Sequence, residues 1–307
     1  MLRQLKQAAK QNGALVRAVR ATYPAIAWAG NRRAVYTRLA PYLGEMEFDE
    51  VRLGGRGNEP EAHLGRTARM LPLRDSDLLV LGAGRGDELA LWQRQQPRSV
   101  VATDFFAHAD SWAAHPQTRF VLMDVRHLGF ADRSFDLVAS TALLEHVDGV
   151  EDLVRETARV LRPGGLAFHN FGPLYQTYAG AHYLGAYEHL TMSDAEFDGY
   201  LAERNIPLEQ EEARHWLRNG MFSRLRYDDY LDIFKRHFDL EHVIIGVSQE
   251  ALRYRRQDAA RWSELTRRYT EKDLLTFSMT VWMRPKVAQQ PLELSAGASA
   301  GRERLTA

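Results

Sequence analysis

Apolar residues along this chain follow two rhythms. At residues 78–81, 100–103, 119–123, 134–140 and 166–170 they stand in short, nearly unbroken runs, the pattern of strands buried on both faces. Between 150 and 161 they recur every third or fourth position, which predicts an amphipathic helix, and Arg162-Pro163-Gly164-Gly165 supplies its stop signal. Residues 239–247 and 274–283 read as a sixth and a seventh strand, with a helical stretch between them at 249–269. Strands alternating with helices predict an α/β protein built on a doubly wound, largely parallel sheet.

The first run breaks into Gly82-Ala83-Gly84-Arg85-Gly86-Asp87, with glycine at every second position ahead of a helix-forming segment. A ligand can approach such a turn closely, because glycine has no Cβ and tolerates positive φ. Alone the turn is a weak signal. It gains weight from Asp104, 22 positions after Gly82 at the end of the second run. An acid there can accept from both ribose hydroxyls of a nucleoside. Asp124 closes the third run, where a carboxylate or backbone group can face the exocyclic amine of an adenine.

Two further motifs follow, Phe135-Asp136-Leu137-Val138 in the fourth run and Arg159-Val160-Leu161-Arg162-Pro163-Gly164-Gly165 before the fifth. Over residues 78–170 the chain resembles the class I S-adenosylmethionine-dependent methyltransferases, and at strand level the resemblance extends to about residue 285. It implies a Rossmann-like, doubly wound seven-stranded sheet with S-adenosylmethionine as methyl donor. Gly82, Gly84 and Gly86 would flank the methionine part of that cofactor, Asp104 the ribose, and Asp124 with Val125 the adenine. Ala83, Phe105 and Thr141 adjoin these positions and complete the candidate set. The family usually carries an acid two residues before the first glycine. Here Val80 stands there, and Asp87 or Glu88 is the available substitute. A nicotinamide dehydrogenase is the rival for such a turn, but its fingerprint wants a small residue where Asp87 stands.

Composition narrows the function further. In 307 residues, 40 Lys and Arg balance 40 Asp and Glu, so the basic excess usual in nucleic-acid binders is missing. With no cysteine, disulfides, zinc–thiolate sites and cysteine nucleophiles are excluded. No apolar run approaches the ~20 residues of a membrane span, and no signal-peptide core is visible, so a cytoplasmic protein is expected. Residues 1–44 hold eight basic residues and no acid, and Leu2, Leu5, Ala9, Val16 and Val19 predict an amphipathic helix. The expected organisation is a helical N-terminal extension (1–77), a methyltransferase domain (78–285) and a disordered tail (286–307).

Residues 172–225 are too long for a simple connection and form the expected lid insertion after strand five. This segment is rich in rings, and Tyr175, Tyr178, Tyr183 and His189 are its candidate substrate-binding residues, although for most of these rings taken singly, packing of the lid against the sheet is the simpler account. A hydroxyl acceptor benefits from a base near neutral pKa, and His182, His169 and His146 are the candidates, with His182 first because it follows the flexible Gly180. A metal site drawn from His169, His182, Glu188, His189, Glu145 and His146 lacks helical ligand spacing, so no metal is expected. Asn170-Phe171-Gly172-Pro173 only weakly resembles the Asn-Pro-Pro-Tyr motif of nucleic-acid amino methyltransferases. The expected partner is a small-molecule acceptor bearing oxygen or nitrogen, such as a sugar or phenol. A catalytically silent cofactor-binding protein and a homodimer remain open alternatives.

Overall fold

Burial accounts for the apolar runs. In β2 (Asp77–Leu81) the four residues from Leu78 onward are buried, and in β3 (Ser99–Asp104) every residue after Ser99 is buried. Neither strand has a solvent face, so neither shows alternation. These strands belong to a computed structural model that describes Leu39, Leu43, residues 46–54 and residues 59–286. The basic helix expected within 1–44, residues 55–58 and the tail beyond Lys286 lie outside the described residues.

One sheet contains β1 (Glu50–Leu53), β2, β3, β4 (Thr118–Leu122), β5 (Phe135–Thr141), β6 (Leu161–Phe171), β7 (Phe238–Val247) and β8 (Thr276–Pro285), in the order β1-β7-β8-β6-β5-β2-β3-β4. β8 runs antiparallel to β6 and β7, and every other pairing is parallel. All seven expected strands are present. The eighth, β1, falls in the segment expected to be helical and pairs with β7 through Glu50↔Ile244 to Leu53↔Val247. Four residues carry too little pattern to announce a strand; the free edge of β7 makes it one. The same segment also holds α1 (Pro60–Met70), with proline in its first turn.

Other helices cover the sheet: α2 (Leu89–Gln93), α3 (Ala109–Trp112) and α4 (Val150–Val160). α4 buries Val150, Leu153, Val154, Thr157 and Val160, one face at helical spacing. The two family motifs meet here. The Asp136 carboxylate accepts from Arg162 Nη1 at 2.7 Å and from the Asp77 N–H at 2.8 Å. A Cβ on Gly165 would lie 2.9 Å from the Arg162 carbonyl oxygen and 3.0 Å from that of Asp136. The motifs therefore tie β2, β5 and β6 together rather than touch a ligand, and β6 begins at Leu161, earlier than the Pro-Gly signal predicts.

After β6, residues 172–225 hold α5 (Asp194–Arg204), α6 (Pro207–Glu211) and α7 (Ala213–Arg218), ahead of α8 (Tyr227–His237). α9 (Gln249–Gln257), α10 (Ala259–Leu265) and α11 (Glu271–Leu275) link β7 to β8. No helix among the described residues is long and apolar enough to cross a membrane. The chain winds from β2 to β3 and β4 on one side and continues through β5 and β6 on the other. The carboxyl ends of β2 and β5 are thus the switch point where doubly wound sheets leave a crevice.

Candidate functional site at the switch point

Four strand ends converge on that crevice. Gly82, Asp104, Thr141 and Phe171 stand at or just past the carboxyl ends of β2, β3, β5 and β6, and all line one cavity of about 1080 Å³. Gly82 and Gly84 have φ of 62° and 53°, in the left-handed region. A Cβ on Gly82 would lie 2.7 Å from Leu143 Cδ1, whereas one on Gly84 would meet nothing within 4 Å. The first glycine is favoured by its φ and has the end of the Leu143 side chain against it, and the second leaves the cavity floor open. Asp104 is buried, and its carboxylate accepts from the Gly84 N–H at 2.7 Å and the Phe106 N–H at 2.8 Å. The bend and the acid meet as the spacing predicted.

Trp112 braces the bend from outside. Its Nε1–H donates to the Gly84 carbonyl at 2.8 Å, and its ring stacks on Phe120 with centroids 4.5 Å apart. Val125, Phe105 and Asp124 also line the cavity. Arg126 pairs with Asp124 at 2.8 Å and holds its carboxyl below the usual range. Two of the candidate cofactor residues are not among those lining the cavity: the Ala83 N–H donates to the Thr103 carbonyl, and a Cβ on Gly86 would meet the His115 ring. Val80 is buried in the sheet's apolar packing. Of the two substitutes for an acid there, Asp87 is exposed, while Glu88 is half-buried, raised by burial and hydrogen-bonded to Thr141.

The far end of the cavity is built by the loop after β5 and by the 172–225 insertion. His146 donates Nδ1–H to the Met221 carbonyl at 3.2 Å, which leaves Nε2 as the acceptor nitrogen. Burial pushes the His146 imidazole down to about 3, so it is neutral. Its ring stacks on Trp216 at 4.3 Å and lies 4.8 Å from that of His182. His182, at a φ of 57°, places Nδ1 3.7 Å from Glu212 Oε2, and its Nε2 is buried without a partner.

The remaining candidates do not reach the cavity. His169 is fully buried in β6, hydrogen-bonded through Nδ1 to Ser140 Oγ at 2.7 Å, and burial lowers it to about 3. Both faces of β6 are covered, so its side chain meets sheet core rather than crevice. Tyr175, Tyr183 and His189 form the insertion's own core: the Tyr183 hydroxyl donates to Glu188 Oε2 at 2.6 Å, and His189 Nε2 contacts the Tyr175 carbonyl at 2.6 Å. Tyr178 packs against Tyr187 and Tyr254. Among the described residues no three His, Asp or Glu side chains gather as a metal site. Sequence reasoning passed over Glu145 as a site residue in its own right, yet it lines the cavity beside His146. Its signal was a single acid in the apolar stretch Leu143-Leu144-Glu145-His146-Val147.

Fold and site together define a doubly wound α/β protein with one cavity at its switch point, lined by four strand ends and by the 172–225 segment. Residues 79–169 match a family described as a methyltransferase domain. Demethylmenaquinone methyltransferase of Corynebacterium urealyticum is 33% identical over 169 residues, covering 50% of this chain and 72% of that protein. Malonyl-(acyl-carrier protein) O-methyltransferase of a Marinomonas species is 33% identical over 109 residues, covering 33% of this chain and 40% of that one. A solved S-adenosylmethionine dependent methyltransferase from Mesorhizobium loti is similar at 22% identity and a TM-score of 0.48, over 75% of this chain and 100% of that one. The chain spans about two fifths to three fifths of the length of several curated relatives, whose names cover transfer to oxygen, carbon and nitrogen. It belongs to the class I S-adenosylmethionine-dependent methyltransferases.

Proposed function

We propose that this protein transfers a methyl group from S-adenosylmethionine to an oxygen or nitrogen of a small molecule held under the 172–225 insertion. The supporting observation is the continuous cavity that runs from Gly84 and Asp104 to His146, His182 and Trp216. Small-molecule sites usually occupy roughly 300–1,000 Å³, and this one, at about 1080 Å³, has room for a nucleoside cofactor and a second organic molecule. Residues of the insertion, among them His182, Trp216 and Met221, line this cavity, which suits a small acceptor held beside the cofactor.

The residues present fit the cofactor. Gly84 leaves space where any side chain would intrude, and Asp104, already fastened to the bend, keeps lone pairs for ribose hydroxyls. Thr141, hydrogen-bonded from behind to Glu88, would serve the methionine end, and Asp124 with Val125 the adenine. When bound, S-adenosylmethionine supplies an electrophilic methyl carbon. The chain then has to position an acceptor in line and exclude water, which is work for the insertion. For a hydroxyl acceptor, His182 is the base: Nδ1–H directed at Glu212 leaves Nε2 to take the proton as the carbon–oxygen bond forms. S-adenosylmethionine would thus supply both the methyl group and, in its sulfur, the leaving group that keeps the electron pair.

Calorimetry with S-adenosylmethionine and S-adenosylhomocysteine, followed by S-adenosylhomocysteine production across phenols, sugars and amines, tests the reading. No heat with either compound overturns it. Binding without turnover over the whole panel points instead to a silent cofactor-binding protein.

A further inference from the structure

Glu145 lies in the short turn Leu144–His146, only 2% exposed, yet it lines the cavity. Three neighbouring elements pin it. Its Oε1 accepts from the Gly172 N–H at 3.0 Å, its own carbonyl accepts from the Ser223 N–H at 2.8 Å, and the Tyr230 hydroxyl donates to the preceding Leu144 carbonyl at 3.3 Å. The other carboxyl oxygen, Oε2, is buried with no hydrogen-bond partner. Among the described residues no cation neutralises the group: Arg126 is committed to Asp124, and His146 is neutral. Burial alone pushes the carboxyl up to about 8, so the neutral form prevails at neutral pH. A neutral carboxyl whose Oε1 accepts from a backbone N–H carries its proton on Oε2. That proton has nothing to donate to, a vacancy that costs about 1–3 kcal/mol unless a ligand fills it.

We propose that Glu145 is a specificity residue of the acceptor compartment, its Oε2–H donating to an oxygen of the acceptor other than the one methylated. The acceptor class is then a hydroxyl compound carrying a second oxygen, carbonyl or hydroxyl, that can accept this bond. The inference rests on the methyltransferase reading, and the test keeps the two apart, because S-adenosylhomocysteine binding reports the reading and probe discrimination reports Glu145.

The full-length protein, saturated with S-adenosylhomocysteine, is titrated with meta-hydroxyacetophenone and with meta-ethylphenol, which has the same shape but no second oxygen. The ketone binds about tenfold more tightly to the wild type, in line with one otherwise orphaned donor. Glu145→Gln, whose amide still donates, keeps the preference, and Glu145→Leu loses it. Should the leucine variant fail to fold, infrared difference spectra of wild type against Glu145→Gln give the second readout. A protonated carboxyl band is present at neutral pH and shifts with the ketone but not with the ethylphenol. Equal affinities, failure of either probe to bind, a preference surviving in Glu145→Leu, or a carboxylate band in place of the acid band each overturn the proposal.

Discussion

Replacing Glu145 with glutamine removes an ionisable proton while preserving size and the acceptor for the Gly172 N–H. In the folded protein this carboxyl titrates near 8, against 4.5 for the free group. Its folded value is raised, so its contribution to stability is complete below the ordinary carboxyl range and is lost as pH climbs toward 8. Across that window the unfolded chain has released the proton and the native chain still holds it. Each pH unit therefore costs the wild type about 1.4 kcal/mol that the variant does not lose. From about pH 5.5 to 7.5 the stability difference, variant minus wild type, grows by about 2 to 3 kcal/mol. Urea unfolding of both proteins across that range measures it, and the subtraction cancels every titration they share. A difference that stays flat would mean Glu145 is already ionised in the native state, and the neutral-donor argument would fail with it.

Other consequences can be checked separately. Asp104→Ala deprives the Gly84 and Phe106 N–H groups of a charged acceptor, and calorimetry should show cofactor affinity falling at least about tenfold; unchanged affinity would remove Asp104 from the site. Gly84→Ala should cost only about 1 kcal/mol for its positive φ while weakening cofactor binding, because its Cβ enters open cavity. Gly82→Ala adds the collision with Leu143 Cδ1 and should cost about 1–3 kcal/mol more; thermal melts of the pair that coincide would contradict this division of labour. His182→Ala should lower turnover at least about tenfold with cofactor affinity intact. Equal turnover would take the base role away from it.

Local pattern was sufficient for the skeleton. Runs such as 78–81 and 100–103, short, apolar and bounded by turn residues, have the pattern of strands covered on both faces, and the spacing from Gly82 to Asp104 anticipates the bond between the bend and the acid. Other features were illegible because they depend on what an element packs against. β1 exists because β7 offers an unpaired edge, and no four-residue pattern encodes that. His169 and Tyr175 carry chemistry suited to a site, yet the second covering layer over β6 and the insertion's own core claimed them.

From its sequence alone this protein had its sheet, its bend and its family, since those rest on periodicity and short-range spacing. Which polar groups face the cavity was decided by the tertiary structure. Gly172 bonds the Glu145 carboxyl while Ser223 and Tyr230 hold the backbone carbonyls of Glu145 and Leu144, and desolvation of that kind arises only when segments nearly sixty positions apart close around a group.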